Sequence, residues 1–240
     1  MKIENDVANV LANSTVDFDY LYLPKEQLER NLYLRVNKAL ESMGGKWNRK
    51  LKAHIFDKSP ITALENIILT GEYIDAKHEY QFFETPGEIA IRLIDKADVR
   101  LGETILEPSA GRGAIAKYIP ECDCVELNED NRTYLIKNNF NLVGKDFLEF
   151  TKKYDVIIAN PPFTKQQDIT HVEHMLDLAN RRVVSVMSSS VLFRTNKKTV
   201  EFREKIESLG GEFMKLPEKS FTISGTNVTT CILYVDIRNI

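Results

Sequence analysis

The chain has 240 residues, 28% of them charged and 43% hydrophobic, and a formal net charge of −3. That length can bury a full core in one or two domains, and the composition is that of an ordinary globular chain. No apolar run approaches a membrane span and the start lacks the apolar middle of a signal peptide, so a cytoplasmic protein without a membrane partner is expected, and the negative charge gives no global attraction to nucleic acid.

Residues 7–11 read as a short helix and 16–22 as an extended stretch. Pro24 opens a helix whose apolar face carries Leu28, Leu32, Leu34, Val36, Ala39 and Leu40, and Gly44-Gly45 stops it. Lys46-Trp47-Asn48 and Ala53-His54-Ile55-Phe56 flank a polar turn and read as a hairpin, and Pro60 restarts a helix to about Thr70. Residues 1–78 are thus a small α/β module. Its hairpin carries Lys46, Arg49, Lys50 and Lys52 with no acid among them, a candidate phosphate contact, with a solvated turn as the alternative. Trp47, the only tryptophan, is read as anchoring the hairpin on the preceding helix, with stacking on a base as the alternative.

Past Pro86 a helix over 87–97 leads into alternating elements: strands at 104–107, 122–127, 140–143, 155–159, 182–187, 212–216 and 228–235, and helices near 112–119, 129–138, 168–180 and 199–209. Such alternation predicts a mostly parallel sheet covered on both faces, and the last two strands, with no helix between them, should pair antiparallel. Glu107, Glu126, Asp146 and Asn160 close four successive strands and therefore converge on the carboxyl rim, where open α/β sheets bind ligands.

Glu107 leads into Pro108-Ser109-Ala110-Gly111-Arg112-Gly113, a tight turn whose glycines allow close backbone approach before a helix. No Lys-Ser/Thr follows it and GxGxxG is incomplete, so a ligand with a ribose but no pyrophosphate is expected, its diol on Glu126. Asn160-Pro161-Pro162-Phe163 ends an apolar strand with two prolines that withhold backbone donors. The Asn160 side-chain oxygen and the Pro161 carbonyl can each accept one N–H of an exocyclic amine, and Phe163 can stack on the ring that bears it. Phe193 or Phe221 could cover the other side, and both also suit a core. A rigid strand-to-loop break is the plain alternative for the whole motif. Cys122 and Cys124 alternate on one strand and are read as packed, and the four histidines complete no metal set. His171 and His174, three apart on a helix, read as surface or pocket-rim residues. Arg181, Arg182, Arg194, Lys197 and Lys198 form further acid-free stretches around the cleft.

Glu107-Pro108-x-x-Gly111-x-Gly113 together with Asn160-Pro161-Pro162-Phe163 resembles the S-adenosylmethionine-dependent amino-methyltransferases, above all the N6-adenine DNA methyltransferases, over roughly residues 79–240. Gln81-Phe82-Phe83-Glu84-Thr85-Pro86-Gly87 is similar to the motif that precedes the glycine loop in that family and touches the methionine end of the cofactor. Lys145-Asp146-Phe147 resembles its third-strand motif, which implies Asp146 on the adenine amine and Phe147 against the adenine ring. The stretch 220–233 resembles its late hairpin beside the target base. The motif order is that of the gamma type.

The resemblance implies a Rossmann-like seven-stranded sheet over 79–240, with S-adenosylmethionine held by Phe83, Thr85, Glu107, Pro108, Ser109, Gly111, Gly113, Glu126, Asp146, Phe147 and Asn160. It implies Asn160, Pro161, Pro162 and Phe163 as the catalytic set, S-adenosylhomocysteine as product, and no metal. DNA is the expected partner, contacted by Lys46, Arg49, Lys50, Lys52, Arg194, Lys197 and Lys198. RNA methylation at adenine N6 or guanine N2 is the alternative. An inactive accessory protein or a protein-glutamine methyltransferase fits less well. The chain ends just past its last strand, without the recognition domain often found in the gamma type. Recognition is therefore expected from residues 1–78, from loops at 164–170, 194–198 and 217–227, or from a specificity subunit or second copy, as in a compact phage, mobile-element or restriction-modification enzyme.

Overall fold

A computed structural model describes residues 3–57, 59–71, 84–222 and 229–237. Its main body is a seven-stranded sheet, in spatial order β10-β11-β9-β8-β5-β6-β7. The strands are β5 (Ile105–Glu107), β6 (Asp123–Val125), β7 (Asn141–Gly144), β8 (Tyr154–Ala159), β9 (Ala179–Ser188), β10 (Glu212–Lys215) and β11 (Thr230–Asp236). β5 runs parallel to β6 and β8, β7 parallel to β6, and β9 parallel to β8, while β11 lies antiparallel between β9 and β10. This is the expected mostly parallel sheet with its antiparallel last strand.

Alternation along the strands divides the core. Val156 and Ile158 of β8, Val184 and Val186 of β9 and Ile232 of β11 join one cluster with Ile89, Ala90 and Leu93 of α4 (Gly87–Ala97) and Leu135 of α5 (Glu129–Lys137). Ile157, Val183 and Leu233 face the other way, onto α6 (Gln167–Leu178) through Ile169, Val172 and Met175 and onto α7 (Lys197–Ser208) through Phe202 and Ile206. Cys122, Cys124 and Cys231 are buried free thiols.

The N-terminal part has its own core. A sheet of order β1-β2-β4-β3 (Thr15–Asp17, Tyr20–Tyr22, Ala53–Ile55 and Lys46–Asn48 respectively) packs with α1 (Asn5–Ala12), α2 (Arg30–Ser42) and α3 (Ile61–Thr70) around Leu11, Leu21, Leu40, Phe56 and Ile67. It docks onto the large sheet. The Thr229 N–H donates to the Leu69 carbonyl at 3.1 Å, the Thr195 N–H to Asn13 Oδ1 at 2.7 Å, and Arg194 pairs with Glu65 of α3 at 3.0 Å, both buried.

Four local expectations are corrected. The stretch 16–22 folds back as the β1–β2 hairpin, with Phe18 at φ 50 in its turn. The helix assigned to Pro24 starts only at Arg30, behind Glu29 with its extended ψ of 143; Leu23 and Leu28 lie before it and pack against the small core from outside the helix. Residues 112–119 are turns closed by one 3-10 turn, Ala116–Tyr118, rather than a helix. Trp47 does not anchor the hairpin in a core. It is 43% exposed, tilted over His54 with ring centroids 5.0 Å apart, on β3 at the edge of the small sheet, and it is not a member of the buried N-terminal cluster.

Candidate active site

Strand order places the site. After β5 the chain builds β6 and β7 on one side, then returns to lay β8 on the other, so the crevice between β5 and β8 is the topological switch point of the sheet. Glu107, Glu126, Asp146 and Asn160 stand at or just beyond the carboxyl ends of β5, β6, β7 and β8, which are four contiguous strands.

The glycine loop is shaped by two buried acids. Glu107 is 2% exposed, and its Oε2 accepts the Ala116 N–H at 2.7 Å. Burial holds its carboxyl well above the usual carboxylate range, and the nearby Cys124 thiol adds to the rise. Glu107 therefore shapes the loop from beneath rather than reaching into the crevice as expected. Glu126 accepts the Gly111 N–H through Oε2 at 2.6 Å and the Asn128 N–H through Oε1 at 2.7 Å, which ties the loop to the end of β6. Each carboxylate oxygen can accept a second hydrogen bond, so these contacts leave capacity for hydroxyls. Gly111 and Gly113 sit at φ 55 and 77. A Cβ on Gly113 would lie 2.5 Å from Phe140 Cζ, so this glycine makes room for an aromatic ring of its own fold. Pro108 is buried, Ser109 half-buried and Ala110 hydrogen-bonds the Val125 carbonyl at 3.1 Å.

Across the crevice, Asn160 Nδ2 donates to Thr85 Oγ1 at 3.0 Å, joining residues 75 apart in sequence. Pro161 is buried and Pro162 exposed. Phe163 is only 7% exposed and belongs to the core cluster of α4, so it does not stand open as a plate. Stacking on a base would require its ring to leave that packing. Phe221 is fully buried in the same cluster, and Phe193 packs against the N-terminal core. Asp146 is half-buried, with its Oδ1 accepting the Leu148 N–H at 2.9 Å. Phe147 is 3% exposed and packed against the rings of His171 and His174, with centroids 5.8 and 4.8 Å away, so it too is a core residue here. His171 is buried and His174 half-buried: His171 Nδ1 bonds the Gln167 carbonyl at 2.9 Å and His174 Nε2 the Phe150 carbonyl at 2.8 Å. Phe83 and residues 223–228, with the middle of the late hairpin motif, lie outside the described residues.

Most of the cations expected around the cleft are internally paired. Arg181, 3% exposed, bonds Glu103, and Arg182, 7% exposed, pairs with Asp98 and Asp236, both at the amino end of β9 and far from the rim. Arg194 is buried against Glu65 and is not a phosphate contact. Lys197 pairs with Glu201 at 3.7 Å. Lys198 donates to the Gln166 carbonyl at 3.2 Å and to Thr170 Oγ1 at 2.7 Å, and Thr199 Oγ1 donates to Gln166 Oε1 at 2.7 Å. These bonds hold the turn after Phe163, where Lys165 and Gln166 occupy the left-handed region at φ 54 and 57, a conformation that costs energy for residues with a Cβ.

Sequence reasoning missed this clamp, and it missed Asp168. That acid opens α6, is 3% exposed and accepts the Ser188 and Ile169 N–H groups, both at 3.0 Å. Burial pushes its carboxyl up to about 7. An acid in the first turn of a helix looks like an ordinary helix-end charge, so nothing in the local pattern signals its burial. Among the described residues no group of three or more His, Cys, Asp or Glu could hold a metal ion, and no helix is long and apolar enough to cross a membrane.

No protein-family model matches this chain, and no curated protein does. Solved structures do. The M protein of the type I restriction enzyme EcoKI matches with a TM-score of 0.55 and 15% identity, over 95% of this chain and 56% of that one. A protein from Vibrio vulnificus described as a modification subunit of a type I restriction enzyme matches at 0.54 and 14%, over 88% and 50%. A protein from Pyrococcus horikoshii described as an RNA methyltransferase matches at 0.50 and 21%, over 67% and 89%. The chain spans about half the length of the two restriction-enzyme subunits. At these identities the likeness is one of fold: the chain has the α/β architecture of these methyltransferase structures.

Proposed function

We propose that this chain transfers a methyl group from S-adenosylmethionine to the exocyclic N6 amine of adenine in DNA, leaving S-adenosylhomocysteine. The observation that carries the reading is the Asn160–Thr85 hydrogen bond at the switch-point crevice, which joins the motif before the glycine loop to Asn160-Pro161-Pro162-Phe163 opposite Glu126. The residues present fit the cofactor. Carboxylates at the ends of β6 and β7 suit hydroxyls and an amine and would repel a pyrophosphate. A loop with Gly111 at φ 55 brings backbone close to a ligand. Glu126 would hold the ribose and Asp146 the adenine amine, and the bound cofactor supplies an electrophilic methyl group.

The protein's own part is positioning and charge stabilisation. Asn160 Oδ1 and the Pro161 carbonyl accept the two N–H bonds of the target amine, which orients its lone pair and stabilises the positive charge that develops on nitrogen. Holding the amine in line is worth roughly 7–11 kcal/mol. No strong base is required, because the methylated cationic amine is acidic enough to lose its proton to solvent. The target base must be swung out of the duplex to reach the crevice, and Phe163 rotates out of the core to stack on it. Residues 79–240 are assigned to this catalysis and 1–78 to nucleic-acid contact, with a specificity subunit or a second copy as further partner.

The likeness to the EcoKI M protein runs through 95% of this chain, whereas that to the Pyrococcus horikoshii protein covers 67%, which favours DNA over RNA. Incubation with tritiated cofactor and duplex DNA, RNA or no acceptor tests the reading. Label should enter adenine of the duplex. Asn160→Ala should nearly abolish transfer while leaving cofactor affinity within a few-fold. Label in RNA alone, or a large loss of cofactor affinity in the variant, overturns it.

A further inference from the structure

Among the described residues, the basic hairpin of β3 and β4 keeps its charges unpaired. Lys46, Arg49, Lys50 and Lys52 are all exposed, and none forms an ion pair with another described residue. The turn that carries them is ordered: Asn48 Oδ1 accepts the N–H of Lys50 at 3.0 Å and of Leu51 at 3.1 Å, and Lys52 is fixed at φ 50. An ordered turn presents its cations in one arrangement and lowers the ordering cost of binding. β3 is an edge strand, so nothing in the small sheet covers its outer flank.

The placement of this unit adds a second argument. It is docked on segments at the carboxyl rim: Asn13 and Glu65 hold Thr195 and Arg194 just after β9, and α3 packs on the 164–166 turn that follows Phe163. The unit therefore sits on the side of the rim given to the target base, away from the acid-rich ends of β6 and β7.

We infer that the Lys46–Lys52 hairpin is a docking surface for the phosphodiester backbone of duplex DNA. The inference rests on the DNA reading above and adds the surface that holds the duplex. Cations on this hairpin neutralise phosphates, release counterions and fix the position of the duplex without reading its sequence. They concentrate positive charge on one face of a chain whose overall formal charge is −3, so a polyanion can approach there.

The test uses the full chain with all four residues changed, Lys46→Gln, Arg49→Gln, Lys50→Gln and Lys52→Gln, and fluorescence anisotropy on a labelled duplex over a salt series. Each lost phosphate contact should flatten the plot of log affinity against log salt by about 0.9, so the slope should fall by about 3–4. Trp47 is the only tryptophan, beside Lys46 and 43% exposed, so its emission reports the surface directly. Duplex DNA should protect it from iodide quenching. S-adenosylhomocysteine affinity should stay at the parent value, which shows that the variant is folded. An unchanged salt slope, an unprotected Trp47, or hairpin-dependent binding of RNA alone overturns the inference. The methyl-transfer reading fails separately: a parent that binds duplex through the hairpin and methylates no acceptor sinks that reading and leaves the surface standing.

Discussion

Gly113→Ala tests what the second glycine of the loop is for. Its φ of 77 lies in the left-handed region, where an alanine costs roughly 1–2 kcal/mol. The new Cβ would also stand 2.5, 2.6 and 3.0 Å from three atoms of the Phe140 ring. Phe140 is half-buried and packed against the core of α4, and its N–H donates to the Leu135 carbonyl at 3.0 Å, so the ring has little freedom to retreat. Overpacking of this kind costs about 1–3 kcal/mol. Together the variant should lose about 2–5 kcal/mol of stability, read by urea unfolding followed by circular dichroism. Phe140→Leu should lose stability alone, yet recover part of the loss in the Gly113→Ala background, with a favourable coupling of about 1–3 kcal/mol. Affinity for S-adenosylhomocysteine should change less than stability does. Additive losses would refute the clash. Lost affinity with unchanged stability would show that Gly113 makes room for the ligand instead of Phe140.

Glu126→Ala should weaken S-adenosylmethionine binding by about 1.5–3 kcal/mol, the scale for hydrogen bonds to a charged group. Because Glu126 also accepts the Gly111 and Asn128 amides, the same variant should lower thermal stability, whereas Glu126→Gln keeps one acceptor and should lose less of both; calorimetric titration with an unchanged dissociation constant would remove this residue from the site. Asp168, at about 7 when folded and 3.8 in its ordinary state, binds its proton more tightly in the native protein. Its contribution is therefore fully present below about pH 4 and is lost as pH rises through 7, a change of at most about 4 kcal/mol, opposed by Arg194 and reinforced by Glu65. The stability of Asp168→Asn relative to the parent should rise across that window in urea titrations at a series of pH values, and a flat difference would refute the burial argument.

The strand ends were legible because buried parallel strands are short apolar runs that stop at polar residues. Glu107, Glu126, Asp146 and Asn160 could be aligned on one rim from the sequence pattern, and the sheet order confirms that they belong to contiguous strands. Orientation was not legible. The sequence resemblance places Glu107 and Phe147 in the cofactor site, yet one turns under its loop and the other into the core, because buried polar and apolar groups take the partners the fold supplies. Charge was misread for a related reason. Residues 178–200 hold no acid, yet Arg181, Arg182 and Arg194 meet acids 54 to 129 residues away in space. A run of cations signals an open surface only when no distant acid reaches it, and among the described residues none pairs with Lys46, Arg49, Lys50 or Lys52.

The bridge between the two parts follows from the same long-range pairing. Arg194 faces Glu65 of α3 and lowers the charge burden on Asp168, which anchors α6 to the end of β9 five residues after Phe163. α3 also packs on the 164–166 turn, which Lys198 and Thr199 clamp from α7. The turn beyond Asn160-Pro161-Pro162-Phe163 is thus held by the small unit on one side and by α7 on the other. Losing either partner of a buried pair leaves an uncompensated charge, typically worth 3–5 kcal/mol. The small unit therefore cannot shift freely against the loop without exposing Glu65 or Arg194. A duplex held on the hairpin would, on this architecture, be held in a fixed relation to Asn160. That rigidity is what a positioning mechanism needs, since transfer without a base depends on where the amine is placed.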